Sequence, residues 1–201
     1  IPDLCAMRKA FFQLHIAVFL AGFTGILGRL ITLNEGLLVW YRLLITALTL
    51  WVLAYFRKHS EKVPLKDMLK LTGVGAIAAL HWVIFDGSIK YSNVSVALVC
   101  FSGVGFFTAF LEPLVNRTRL QLTELLFGVM VIAGIALIFH FDPHYKTGII
   151  IGIVSAFFGS LFPVFSRQLV QRYTSETVTL YELSGGFLFL SLMLPFYLQW
   201  F

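Results

Sequence analysis

The sequence predicts an all-α integral membrane protein with seven transmembrane helices, and three observations lead to that fold class. Hydrophobic residues make up 59% of the 201 residues, charged residues only 12%, and the mean hydropathy is +0.88. Soluble domains have roughly 45–50% apolar and about 25% charged residues, so much of this apolar surface must face lipid. The other two observations are seven apolar runs and an uneven distribution of lysine and arginine between them.

Each apolar run is close to the roughly 20 residues that a helix needs to cross a bilayer. The runs are continuous and lack the alternation of strands, which favours helices. The first run follows Met7, Arg8 and Lys9 like a signal peptide, but it is too long and has no small-residue cleavage site, so we assign it to a span. The predicted spans are residues 11–32, 36–56, 69–89, 92–115, 122–141, 147–169 and 177–199.

The distribution of lysine and arginine predicts a cytoplasmic N-terminus. In that orientation the outer turns hold only Lys90 and Lys146, with Arg29 and Arg42 flanking the first outer turn. We therefore expect a multi-pass protein of the plasma membrane, in a bacterium the inner membrane, whose seventh span ends outside. The eleven basic residues of the cytoplasmic segments are Arg8, Lys9, Arg57, Lys58, Lys62, Lys66, Lys70, Arg117, Arg119, Arg167 and Arg172.

The stretch around the first outer turn returns in weaker form later in the chain. Residues 21–25 (AGFTG) are echoed by residues 155–159 (SAFFG), an offset of 134. Residues 40–43 (WYRL) are echoed by residues 180–183 (LYEL), an offset of 140. The two copies lie five spans apart. Because five is odd, the second copy is inserted upside down, as in secondary transporters with inverted repeats.

This inverted repeat predicts two five-helix units. Residues 7–141 would form the whole first unit and residues 147–201 the truncated start of the second, so the chain would be a fragment of a ten-helix protein. A complete seven-span protein is the alternative. In the fragment, Gly185, Gly186 and Glu182 would lack the neighbours that the missing helices provide.

Five short motifs follow one another through the first five spans. They are the helix from Gly22 to Gly28, residues 39–44 (VWYRLL), 80–85 (LHWVIF) and 92–97 (SNVSVA), and the span from Gly128 to Gly134. In this order they resemble the EamA repeat of the drug/metabolite transporter (DMT) superfamily. The resemblance covers residues 11–141 and, as the opening of a second repeat, 147–199. It implies a ten-span carrier with a substrate site between two repeats.

Two positions depart from the pattern of that family. Asp86 stands where members usually carry an apolar or small residue, and Asn116 and Arg117 stand where many members have an acid before the fifth span.

Glycines recur on one side of two spans. Gly22, Gly25 and Gly28 are three residues apart in the first span, and Gly159 belongs to a similar row in the sixth. Small residues let helix backbones approach one another in lipid, so the first interpretation is helix packing. The second is a hinge or cavity wall in a moving helix. Pro163 removes a backbone hydrogen bond in the sixth span and predicts a kink.

Ionisable residues inside the spans are functional candidates by default. Asp86 and Lys90 are four residues apart, so we expect them to pair on one helix face, with a proton site as the alternative. Glu112 is expected to reach toward Arg117 at the membrane boundary. His81, in mid-span, predicts a hydrogen bond between helices before it predicts a proton relay.

Arg42 and Glu182 occupy equivalent positions in the two copies and carry opposite charges. Each lies about 9 Å into its helix, so in a core of about 30 Å they would be roughly 12 Å apart along the membrane normal. Either each side chain extends to its own interface, or both face a central cavity and bind a zwitterionic or anionic metabolite. The candidates for substrate binding or gating are Arg42, Tyr41, Trp82, His81, Tyr181 and Glu182.

No enzyme motif is present in the sequence, neither HExxH, GxSxG, GxGxxG, a P-loop nor CxxC. The inverted repeat and the resemblance to the EamA repeat imply secondary active transport of small organic metabolites, as a permease or exporter working by alternating access and driven by protons or exchange. The alternative is a seven-span interaction or receptor protein without transport. We expect a small-molecule substrate and the bilayer as partners, leave a homodimer open, and expect no nucleic acid, cofactor or metal.

The predicted orientation can be tested with topology reporters. Reporters fused after Lys62 and Arg119 should be cytoplasmic, and those fused after Asn34 and Pro143 should be periplasmic, because the basic segments stay inside. Alkaline phosphatase and green fluorescent protein fusions would measure this. The opposite result at two or more sites would overturn the orientation.

Overall fold

The computed structural model describes residues 4–57, 61–141 and 143–198. The predictions that concern residues 58–60, 142 and 199–201, among them the cytoplasmic Lys58 and the end of the seventh span, lie outside the described residues. Within the described ranges the chain consists of eight α-helices, one short 3₁₀ helix and the turns between them. The helices are α1 (Leu4–Leu30), α2 (Glu35–Phe56), α3 (Leu65–Tyr91), α4 (Val94–Phe101), α5 (Val104–Asn116), α6 (Leu122–Phe141), the 3₁₀ helix (Pro143–Tyr145), α7 (Lys146–Val170) and α8 (Ser175–Leu198).

The predicted spans all coincide with helices, so the all-α prediction is confirmed. Among the described residues six stretches are long and apolar enough to cross a membrane, and Leu122–Leu137 of α6 is a shorter apolar helix. The fourth span is split into α4 and α5. There the Ser102 hydroxyl donates a hydrogen bond to the Val99 carbonyl, and the Gly103 amide bonds to the Cys100 carbonyl three residues earlier. Such local bonds compete with the regular helical ladder.

Asparagine side chains begin two of the helices. Asn34 accepts a hydrogen bond from the Gly36 amide at 2.8 Å, and Asn93 accepts one from the Val96 amide at 2.9 Å. Each cap satisfies a backbone donor that the first turn leaves unpaired. The caps fix the turns before α2 and α4, and the first of them places Arg42 two turns into α2.

Helix α3 is the centre of the bundle and packs most extensively on α7 and α8. Small residues make this approach possible. A Cβ atom on Gly75 would overlap the carbonyl oxygen of Glu182, and one on Gly186 would lie 2.8 Å from the carbonyl oxygen of Gly75. On α7, a Cβ on Gly159 would lie 2.9 Å from the His81 ring. These three helices therefore form the tightly packed part of the structure.

The prediction that Gly185, Gly186 and Glu182 would lack neighbours is wrong. Both glycines are buried, and a Cβ on Gly185 would lie 2.5 Å from Cα of Thr72. Glu182 accepts a hydrogen bond from Ser166 Oγ at 2.6 Å. The physical reason is that α8 turns its glycines toward α3 and its carboxylate toward α7, so helices already in the chain cover them.

Helix α1 packs more loosely than the other spans. Residues 11–23 are exposed throughout, and only Gly25 and Gly28 are buried among its described side chains. In its most apolar stretch 6% of the residues are buried, against 22–44% in the other five spans. Its contacts are with α3 and α4, so α1 is the span that the described structure constrains least.

Polar contacts join the helices where α2 ends and α3 begins, which is the predicted cytoplasmic end. Arg57 pairs with Glu176 at 2.7 Å, and the Tyr173 hydroxyl donates to Asp67 at 2.8 Å. The hydrogen bond to Asp67, followed by desolvation, raises the pKa of Tyr173. The phenol therefore stays protonated as a donor, and it ties the α7–α8 turn to α3.

Glu112 pairs with Arg167 of α7, so the expected contact with Arg117 is wrong. Residues five apart on a helix point about 140° apart around its axis, because each residue advances about 100°. Arg117 also follows the last residue of α5 in the left-handed conformation, with φ of 53°. A neighbouring helix therefore provides the closer cation.

A matched pair of substitutions tests the packing of α3. Gly75→Ala should lower the midpoint of thermal unfolding in detergent sharply, because its Cβ overlaps the Glu182 carbonyl. Gly73→Ala should leave the midpoint unchanged or slightly higher, since nothing lies within 4 Å of its Cβ and alanine is favoured over glycine in helices by about 1 kcal/mol. Equal midpoints in the two variants would contradict this packing.

Candidate functional site

A cavity of about 350 Å³ lies between α1, α2, α3 and α4. Its size falls in the lower part of the range for small-ligand pockets, roughly 300–1,000 Å³. The lining is mostly apolar and aromatic, with an ion pair and a histidine. No group of three or more metal-ligating side chains occurs in the described part of the chain. The lining residues are Val18, Ala21, Gly22, Thr24, Gly25, Arg42, His81, Trp82, Phe85, Asp86, Leu98 and Phe101.

The ion pair in this cavity joins α2 to α3. Arg42 Nη1 lies 3.3 Å from Asp86 Oδ2. The Asp86 side chain is only 2% exposed, whereas that of Arg42 is 39% exposed. The carboxylate is therefore enclosed by protein, while the Arg42 side chain lines the cavity, is partly exposed, and has four of its five N–H donors outside this contact.

The expected pair between Asp86 and Lys90 is not formed, and this prediction is wrong. Lys90 Nζ lies 3.3 Å from Glu35 Oε2 and also donates to the Leu33 carbonyl. The spacing of four residues allows a pair on one face, but contacts within a helix compete with partners on neighbouring helices. Arg42 approaches Asp86 from α2, and Lys90 finds its acceptors in the turn before α2 and at the first residue of that helix.

The glycine row of α1 has two different surroundings. A Cβ on Gly28 would lie 2.9 Å from Oδ1 of Asp86, and one on Gly25 would lie 3.3 Å from Val94. Gly22, one turn earlier, has nothing within 4 Å of a Cβ and lines the cavity. Because Gly28 has no side chain, the backbone of α1 can cover the Asp86 carboxylate. Gly22 also has no side chain, so the space beside it stays part of the cavity.

The His81 ring contacts Ser155 of α7 through its Nδ1 atom. Its Nδ1 lies 2.9 Å from the Ser155 carbonyl oxygen and 3.0 Å from Ser155 Oγ. A carbonyl oxygen can only accept, so Nδ1 carries the proton and Nε2 of the neutral ring is an acceptor. Among the described residues no fully buried side-chain nitrogen or oxygen lacks a partner, and the hydrogen bonds of the ring are made at Nδ1. Nε2 is therefore not fully buried, and His81 is one of the residues that line the cavity.

Aromatic rings form the wall beside this histidine. Phe101 stacks on His81 with ring centroids 5.2 Å apart, and Phe85 contacts Phe101 edge to face at 5.4 Å. Trp82 lines the same cavity and, with Arg42, a smaller one of about 90 Å³ that extends toward Leu183 of α8. The cavity thus combines the cationic donors of Arg42, the imidazole of His81 and several aromatic faces.

Comparison with known proteins decides the family. The model of the EamA-like transporter family matches residues 8–140, well over half of the chain. The chain belongs to this family. It is also 24% identical, over 157 residues, to an uncharacterized transporter of Haemophilus influenzae, in an alignment that covers 74% of this chain and 51% of that protein. The chain therefore spans about half the length of this relative. No solved structure matches it.

The predicted resemblance to EamA transporters is thus confirmed, and the family is one of transporters, not enzymes. The cavity brings together five residues that the sequence singled out, namely Arg42, His81, Trp82, Gly22 and Gly25.

Other sequence candidates of this EamA chain lie elsewhere. Tyr41 is 48% exposed and contacts Trp40 edge to face at 5.0 Å. Tyr181 contacts Trp51 at 6.4 Å, and Glu182 bonds to Ser166. Gly159 makes room for the His81 ring from α7, and Pro163 is exposed inside that helix.

Sequence reasoning missed the partner of Asp86, the cavity residue Phe101, and Ser155, which lies outside the cavity lining and bonds to His81. Asp86 carried a signal, as an acid inside a span, but it was assigned to the wrong partner. Ser155 was visible only as part of the repeat, and nothing in the sequence distinguished Phe101 from the other 20 phenylalanines. Only the packing of α3 against α4 and α7 identifies them.

A double-mutant cycle tests the ion pair. Arg42→Gln should lower the unfolding midpoint more than Asp86→Asn, because it leaves a buried carboxylate without its partner. The double variant should recover part of that loss, with a coupling energy on the order of 1 kcal/mol. Arg57→Gln combined with Asp86→Asn is the control, because Arg57 follows the last residue of α2, roughly 22 Å along the helix from Arg42, and it should be additive to within about 0.5 kcal/mol. Additivity in both cycles would contradict the Arg42–Asp86 contact.

Proposed function

We propose that this EamA chain is part of a secondary transporter for small organic solutes, and that the cavity between α1 and α4 is its substrate site. The observation that carries this proposal is the Arg42–Asp86 pair, because the Arg42 side chain lines a cavity between apolar helices and is 39% exposed. Charged groups in spans are costly, about 2.5–3.5 kcal/mol on insertion scales. They are typical of substrate and ion pathways.

In this proposal Arg42 binds the carboxylate or another anionic group of the substrate. Its single contact with Asp86, at 3.3 Å, is longer than the 2.7–2.9 Å of a strong charge-assisted hydrogen bond. A substrate carboxylate could instead form two parallel bonds with the planar guanidinium. The substrate would thus compete with Asp86 for its partner.

The other side chains of the cavity would select the rest of the substrate. Nε2 of His81 accepts a hydrogen bond, so it suits an N–H or O–H group of the ligand. Trp82, Phe85 and Phe101 suit an apolar body. A small metabolite with an anionic group, a donor and an apolar part fits these three features together.

Displacement of Asp86 also offers a link to proton coupling. A buried carboxylate that loses its counter-ion is costly unless a proton neutralises it. Substrate binding to Arg42 and protonation of Asp86 would then be linked. Gly28, which lets α1 cover this carboxylate, makes α1 the element whose movement would admit water or substrate.

Alternating access in this proposal uses the uneven packing of the bundle. Helices α3, α7 and α8 form a rigid unit, whereas α1 is loosely packed and bears glycines along its contact face. The plasma membrane and a cytoplasmic N-terminus remain predictions from the basic residues. Membership of a transporter family favours transport over the receptor alternative.

The proposal is tested with the protein expressed from its whole reading frame in cells. Uptake and efflux of a panel of carboxylated and non-carboxylated metabolites should show transport of a carboxylated solute. Arg42→Gln should abolish most of it, and Arg42→Lys should restore only part, because the bidentate fork is lost. Membrane expression is checked in parallel by immunoblot.

Glu182→Gln provides the matched control. Glutamine can still accept the hydrogen bond from Ser166, and position 182 is not part of the cavity lining. Transport should therefore be nearly normal. Loss of transport in Glu182→Gln with a normal Arg42→Gln variant would place the substrate site elsewhere.

A further inference from the structure

A second groove, of about 430 Å³, lies between α3, α5 and α7 at the end of the bundle where α3 begins. Its floor is apolar, with Val115, Phe165 and Leu169 among its residues, and its rim carries Lys70 and Arg172. None of these five residues lines the cavity between α1 and α4. The groove is therefore separate from the proposed substrate site.

The two cations at the rim share one carboxylate. Lys70 Nζ lies 3.4 Å from Asp67 Oδ1, and Arg172 Nη1 lies 3.8 Å from Asp67 Oδ2. That carboxylate also accepts the Tyr173 hydroxyl at 2.8 Å. Asp67 therefore orients both cations but neutralises only one charge. The side chains of Lys70 and Arg172 are 51% and 64% exposed, so their remaining donors are accessible.

The depth of these groups matches the layers of a bilayer. Lys70 lies five residues after the start of α3, about 7 Å along the helix axis, and Arg172 lies two residues beyond the end of α7. The headgroup layer is roughly 5–7 Å thick on each side of the hydrocarbon core. With the start of α3 placed at the water-facing edge of this layer, Lys70 would lie at its inner boundary, and the apolar floor would extend toward the acyl chains.

We propose that this groove binds an anionic phospholipid, with the phosphate between Lys70 and Arg172 and an acyl chain on the apolar floor. Basic pockets between membrane helices on the cytoplasmic side are typical sites for acidic headgroups. Arg172 presents a planar fork for phosphate oxygens and Lys70 a compact charge. Gly73 completes the floor, because nothing lies within 4 Å of its missing Cβ and the space beside it stays free.

Native mass spectrometry of the full-length protein in detergent tests this site, with phosphatidylglycerol and phosphatidylcholine of identical acyl chains as probes. Phosphatidylglycerol should bind more tightly. In the double variant Lys70→Gln/Arg172→Gln its affinity should fall about fivefold for each charge removed, while that of phosphatidylcholine should stay the same. The matched control is Lys66→Gln/Arg57→Gln, which removes two cations from the same end but outside the groove lining. It should retain the preference.

The apolar floor is tested separately from the charges. Gly73→Phe places a ring in the free space while it keeps both cations, and it should weaken phosphatidylglycerol binding severalfold with no loss of thermal stability. Glycerol 3-phosphate, which has the phosphate but no acyl chain, should bind far more weakly than the lipid.

Three results would overturn the proposal. They are equal affinity for the two lipids in the unaltered protein, an equal loss in the control and groove variants, and binding of glycerol 3-phosphate as tight as that of the lipid. The last result would identify a site for soluble anions. None of these readouts depends on transport.

Discussion

The close approach of α3 to α7 and α8 is the constraint on which the other features depend. It exists because α3 and α8 lack side chains where their backbones meet, at Gly75, Gly185 and Gly186. In lipid, apolar side chains gain little by leaving one apolar medium for another, so helix association relies on contact between backbones and on hydrogen bonds. Ser88 adds such a bond, donating to the Gly148 carbonyl of α7 at 2.7 Å.

This packing holds the α3 wall of the candidate substrate cavity in place, whereas the opposite wall, α1, is packed more weakly. His81 cannot turn freely because Ser155 and Gly159 hold its ring from α7. Asp86, on the same helix, is fixed relative to it. The opposite wall is α1, which contacts α3 and α4 only along part of its length. A closely packed wall that carries His81 and Asp86, opposite a weakly packed wall that covers them, would suit the binding and release of a solute under the proposed function.

Ion pairs are distributed differently at the two ends of the described bundle. At the end where α3 begins, Arg57–Glu176 and Glu112–Arg167 each join a helix of the first five predicted spans to α7 or α8. At the other end, Arg42–Asp86 and Glu35–Lys90 stay within the first three spans. Exposed pairs contribute only about 0–1 kcal/mol each. Their arrangement is therefore more informative about which helices move together than about stability.

The sequence alone determined the fold class and the family. Lipid as a solvent requires continuous apolar runs with internally bonded backbones, and those runs and the order of short motifs around Gly22, Trp82 and Gly128 are visible without coordinates. Arg42, His81 and Trp82 could also be selected, since polar residues inside spans are rare. The inverted repeat and the orientation stay predictions.

Only the tertiary structure decided the partners of the charged residues. Asp86 lies four residues from Lys90 in the chain but pairs with Arg42, and Glu112 pairs with Arg167. Spacing along one helix says which contacts are possible, whereas the approach of a second helix, which is distant in sequence, determines which of them form.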